Sequence, residues 1–75
     1  MSKKIEVQNN QTIYDIAIQE YGDVEGVKQI LNDNPGIDLD VDIVPKSILI
    51  IGADPINKEV VEYLKIHDIK PANKE

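Results

Sequence analysis

A chain of 75 residues without cysteine has room for one domain and one small core, held by packing alone, with a total stability of about 4 to 11 kcal/mol. Eight lysines against fourteen acids leave a net charge of −6, which repels phosphate backbones and anionic lipid headgroups and argues against nucleic-acid and membrane-surface roles. No apolar run reaches the length of a membrane span and no signal-peptide h-region follows Met1, so the expectation is a protein that is cytoplasmic as synthesised.

Lys4 to Gln8 alternates polar and apolar residues, which predicts a short strand showing Ile5 and Val7 to the core. Asn9-Asn10-Gln11 makes a polar turn. Thr12 then suits the N-cap of a helix, with Asp15 three residues on as the reciprocal half of a capping box. Ile13, Ile16, Ala17 and Tyr21 share one face of that helix, while Asp15, Gln19 and Glu20 take the wet side. Gly22 stands where a left-handed residue ends it.

A second helix is predicted from an N-cap at Asp23, with Val24, Val27, Ile30 and Leu31 at helical spacing. Gly26 inside it costs about 1 kcal/mol against Ala, and reads either as a site of close packing against the first helix or as ordinary tolerance. Asn34-Pro35-Gly36 stops the helix, because the residue before proline is biased away from helical angles. Ile37 to Ile43 alternates aliphatic and acidic residues and reads as an extended loop pinned inward by its aliphatics. Ser47 to Ile51 is a run of branched aliphatics closed by Gly52, the pattern of a strand buried on both faces. Asn57 then caps a last helix through His67, fenced by Pro55 and Pro71, with Val60, Tyr63, Leu64 and His67 on one face and Val61 beside them.

The order strand, helix, helix, strand resembles the LysM domain, and particular residues carry the resemblance further. Gln11-Thr12-Ile13 resembles that family's Asp-Thr-Leu, Ile16-Ala17 its Ile-Ala, Tyr21-Gly22 its Tyr-Gly, Asn34 the Asn closing its second helix, and Pro45 with Leu49 and Ile51 its Pro-Gly-x-x-Leu-x-Ile. Within the family, Glu20 to Val27 followed by Asn34-Pro35-Gly36 looks most like tail protein X of contractile-tailed phages and prophages. Asn10 and Lys46 depart from the pattern, standing where the family has glycines.

The resemblance implies an α+β fold, a LysM-like βααβ unit over residues 1–52 with both helices on one face of a two-stranded antiparallel sheet, and a C-terminal helical extension and tail over 53–75. On that face alternation sets Ile5, Val7, Ile48 and Ile50, leaving Leu49 and Ile51 to the other side. The last helix is the expected cover for that second side, a contact between copies being the other reading. The resemblance also implies a shallow glycan groove between two loops, Asn9, Asn10, Gln11 and Thr12 on one side and Gly36, Ile37, Asp38 and Leu39 on the other.

Catalysis finds little to work with. His67 is the only histidine and reads as a helix-end cation rather than a general base, and no motif assigns a base to Ser2, Ser47 or Thr12. Asp38, Asp40 and Asp42 open like a calcium loop, but Ile43 and Leu49 stand where that loop needs Gly and a bidentate Glu, so the stretch reads as a solvated acidic face. With neither Trp nor Phe, broad platforms for stacking sugars are missing. The expectation is a non-catalytic module without cofactor or metal, in one of two classes. The first is a structural component of a phage or prophage tail, carried in the virion and acting through other tail or baseplate proteins, a role that does not exclude a touch on peptidoglycan during entry. The second is a module binding the N-acetylglucosamine backbone of peptidoglycan or chitin.

Overall fold

The computed structural model describes residues 2–38 and 43–71 and has an α+β architecture. Its elements are β1 (Lys3–Glu6), α1 (Ile13–Tyr21), α2 (Gly26–Asp33), β2 (Ile48–Ile51) and α3 (Lys58–Ile66). The first four make the βααβ arrangement, with β1 and β2 paired antiparallel and both intervening helices packed against their sheet.

α1 is the element with the most complete local instructions. Thr12 Oγ1 accepts the Asp15 N–H (3.2 Å) and Asp15 Oδ2 accepts the Thr12 N–H (2.8 Å), so both halves of the capping box form. Gly22 closes the helix at φ 74° and donates its N–H to Ile18 O at 2.9 Å. A side chain at Gly22 would also collide with the Asn57 backbone oxygen, because α3 begins directly against this turn. Ile13, Ile16, Ala17 and Tyr21 are buried on one face, as their spacing predicts.

α2 begins later than its sequence suggests. Asp23 does not cap a helix; its Oδ1 accepts the Glu25 N–H (2.8 Å) in a turn, and the helix starts at Gly26, leaving Val24 exposed. Gly26 is buried against Tyr21, and a Cβ there would stand 2.6 Å from the ring, so close packing is the reason for this glycine. At its end Asn34 stops the helix as expected, and its amide does more. Nδ2 donates to Ile30 O (2.8 Å) and to Ile50 O (2.9 Å), while Oδ1 accepts the Ile50 N–H (2.8 Å). Asp33 Oδ2 accepts the Gly52 N–H at 3.1 Å beside it. The C-terminal end of α2 thus occupies the edge of β2 that β1 does not.

The first strand runs Lys3–Glu6 rather than Lys4 to Gln8, although Val7 continues the pairing through Ser47. The register sets Ile5 opposite Leu49 and Lys4 opposite Ile50. Opposed residues share a face, so Leu49 and Ile51 join Val7, Ile16, Tyr21 and Ile30 in the core, and Ile48 and Ile50 face outward. This inverts the predicted face of β2. Both alternations through its aliphatic run are equally apolar, and only the pairing with Ile5 selects between them.

The C-terminal helix is corrected with it. Leu49 and Ile51 are already covered, and α3 lies along α1 instead, with Val61 buried and Val60 and Leu64 half-buried. Asn57 Oδ1 caps it by accepting the Val60 N–H (3.3 Å). The approach is fixed by Tyr21 O, which accepts both the Ile56 N–H (2.9 Å) and the Asn57 N–H (2.8 Å). Tyr63 and His67, predicted on the packed face, are exposed; their rings meet tilted at 40° with centroids 4.3 Å apart, His67 being at the helix end.

Candidate functional site

The predicted groove loops begin where the ladder ends. Val7 donates its N–H to Ser47 O (2.9 Å) and Lys46 its N–H to Val7 O (2.7 Å), which sets the Asn9–Thr12 turn beside the turn through Pro45 and Lys46. Asn10 and Lys46 both take left-handed backbone angles, φ 65° and 71°. These are the two positions where glycine was expected from the resemblance. Asparagine tolerates that region through its short polar side chain, whereas lysine gains nothing from it and bears the steric cost between Cβ and the backbone.

Within the first loop, Asn9 and Asn10 are exposed, but Gln11 and Thr12 are committed internally. Gln11 is only 5% exposed; its Oε1 accepts the Gln8 N–H (2.9 Å) and its Nε2 donates to Gln19 Oε1 and to Pro71 O, each at 2.8 Å. The Gln11 side chain thus turns inward and ties the loop to α1 and to the C-terminal segment. Thr12 Oγ1 is held by the cap, also donating to Asp15 Oδ2 at 3.1 Å. In the second loop Gly36 and Asp38 are exposed, and Ile37 packs on the core with its N–H donated to Asn34 O at 3.1 Å. Leu39, Asp40, Val41 and Asp42 lie outside the described residues. Ile43 beyond them packs inward, as its place in the alternation suggests. Among the described residues no group of three or more His, Cys, Asp or Glu side chains is placed to hold a metal ion.

The inward turn of Gln11 starts a polar chain along α1. Gln19 Nε2 donates to Glu20 Oε2 (2.8 Å), and Glu20 Oε1 pairs with Lys3 Nζ at 2.8 Å. Glu20, predicted on the wet side, is buried, and these partners offset part of the cost of taking its polar oxygens from water. No periodicity points to this network, because its members come from β1, α1 and the C-terminal segment. Near it, between α1 and α3, lies a cleft of about 200 Å³ lined by Gln19, Glu20, Leu64 and Ile69 among others. That is smaller than the roughly 300 to 1,000 Å³ of typical small-molecule sites.

Tyr21 is fully buried at the centre of the core and carries a hydroxyl there. Burial raises its pKa above 10.0, backbone groups of Ala53 and Gly52 pull the other way, and the negative charges of Asp33 and Glu20 add to the rise. The ring is fully buried and serves packing.

Several large apolar side chains are exposed as well, and on the outer sheet face they stand beside Lys4 and Glu6. Ile48 and Ile50 on the outer sheet face are 57% and 41% exposed, and Val44 precedes them, also exposed. On α3, Tyr63 and Ile66 project from the side away from α1. Among the described residues no helix is long and apolar enough to cross a membrane. Comparison with protein-family models, curated proteins and solved structures finds no match to this chain.

Proposed function

We propose that this chain is a non-catalytic LysM-like module acting as a small structural component of a phage or prophage tail, similar to tail protein X, and that it works through contacts with neighbouring tail or baseplate proteins. The observation that carries the reading is the division of the surface. Apolar side chains stand on the outer sheet face, at Ile48 and Ile50, while the loop expected to hold glycan spends Gln11 and Thr12 on internal hydrogen bonds. Exposed apolar side chains suit protein partners; a sugar needs convergent polar groups in a concave site. Enzymatic activity has no part in this reading, and neither does a cofactor. The location it implies is the virion, after assembly in the cytoplasm.

A second reading, a module for peptidoglycan or chitin, is favoured by one observation: the left-handed backbone of Asn10 and Lys46 keeps the turn geometry of the family's glycines. An NMR titration with an N-acetylglucosamine oligomer separates the two. The tail reading expects a dissociation constant around millimolar or weaker, corresponding to about −4 kcal/mol or less favourable. Saturable shifts at micromolar ligand, confined to Asn9–Thr12 and residues 36–40, would establish the glycan module in its place. The tail role itself is checked by deleting the gene from its host and imaging induced particles, which should show defective tails; normal infective particles would end that reading.

A further inference from the structure

Among the described residues the sheet has one shut edge and one open edge. Val7 pairs with Ser47, and Ile5 and Lys3 follow at period two, so the backbone groups of these residues point toward β2. Those of Lys4 and Glu6 therefore point away from it, along the free edge of β1. Both residues are exposed. The Glu6 carbonyl accepts a 3.2 Å bond from Gln8 Nε2 on the surface, which leaves its second lone pair.

We propose that β1 is the contact strand of a symmetric dimer, in which two copies join their sheets antiparallel about Ile5, setting Lys4 of each opposite Glu6 of the other. The backbone limits the choices first. Only Lys4 and Glu6 present outward groups within the strand, so an antiparallel partner must set these residues against each other, with the two-fold axis at Lys4, Ile5 or Glu6. Charge then selects among the three. An axis at Lys4 opposes two lysines, and one at Glu6 opposes two glutamates, whereas the axis at Ile5 forms two Lys4 to Glu6 pairs on directly opposed residues. Each of those pairs also exchanges two backbone hydrogen bonds. The strand is self-complementary in this register and repulsive in the neighbouring ones, a pattern that gives specificity through its exclusions.

The joined sheet would run β2, β1, β1, β2 and place Ile48 and Ile50 of both copies on one outer surface. A strand of four residues makes a small contact, so association is weak, with half-dimerisation at protein concentrations on the order of 0.1 mM. The inference goes beyond the tail reading and does not depend on it, since a glycan module could pair in the same way.

Charge exchange tests it. Sedimentation equilibrium of the wild-type chain from 10 µM to about 1 mM should show a monomer–dimer equilibrium. Lys4→Glu alone and Glu6→Lys alone should each weaken it at least tenfold, because every opposed pair then carries like charge. An equimolar mixture of the two variants should restore a dimer of mixed composition. Both side chains are exposed, and circular dichroism verifies that each variant is folded. Hydrogen exchange supplies an independent reading: the Lys4 and Glu6 amides should gain protection with concentration. A wild-type chain still monomeric at about 1 mM would overturn the proposal. So would dimerisation unaffected by either substitution, or a mixture that fails to restore it.

Discussion

Ile50 and Ile51 are adjacent, identical in chemistry and opposite in fate: the second is 2% exposed in the core and the first 41% exposed on the outer sheet face. Ile48 and Leu49 repeat the contrast one step earlier. Hydrophobicity does not distinguish these neighbours, so burial here follows from pairing. Ile5 and Val7 have one apolar face, their partner strand must match it, and whichever alternate residues lie opposite become core. The remaining apolar pair is left outside by geometry and is available to something else.

The sharpest way to break that contrast is to truncate both faces alike. Ile51→Ala should cost about 2 to 5 kcal/mol as a buried large-to-small change, and Ile50→Ala about 1 or less. Urea denaturation midpoints measure both, and equal losses would mean that the register is shifted. Asn34→Ala acts on the edge of the same strand, removing the amide that bonds both backbone groups of Ile50; the expected loss is roughly 2 kcal/mol, read in the same way. Lys46→Gly sharpens the comparison from the turn that feeds β2. Relieving a left-handed lysine offsets the extra entropy of glycine in the unfolded chain, for a net gain of about 0.5 to 1 kcal/mol and a higher melting temperature.

The smallest effect at neutral pH belongs to the inner face. Tyr21→Phe should change stability by less than about 1 kcal/mol at pH 7, since the ring and its packing are kept. Its signature lies in alkali. The folded-state pKa is raised, so the neutral phenol's contribution is complete below the unfolded value of 10.0 and is lost as pH rises through the folded one. The substituted chain should lack that part of the alkaline loss, and the highest-pH component of the tyrosinate absorbance titration should vanish with it.

The parts of this fold legible in the sequence are those whose causes lie within a few residues. Thr12 with Asp15, Gly22, Asn34 and Asn57 end or begin helices through bonds to their immediate neighbours, and each does so as its residue type predicts. Three features were illegible because their causes are distant. The need for glycine at position 26 depends on the Tyr21 ring, the face of β2 on Ile5, and the docking of α3 on a carbonyl at the end of α1. The candidate site divides in the same way. The glycine-like turns at Asn10 and Lys46 are recognisable by position, yet the inward commitment of Gln11 rests on Gln19 and on Pro71, a partner 60 residues away. A polar residue in a polar turn carries no mark of such a partner.

The amide of Asn34 has a consequence for assembly size. By occupying Ile50 it imitates a third strand of side-chain length and closes the sheet on that side. A protein whose two sheet edges were both free could add copies at either end without limit, in the manner of a fibril. This one can grow in a single direction, and a symmetric partner placed there uses up the remaining edge of both molecules, so the assembly terminates itself at a finite number of copies.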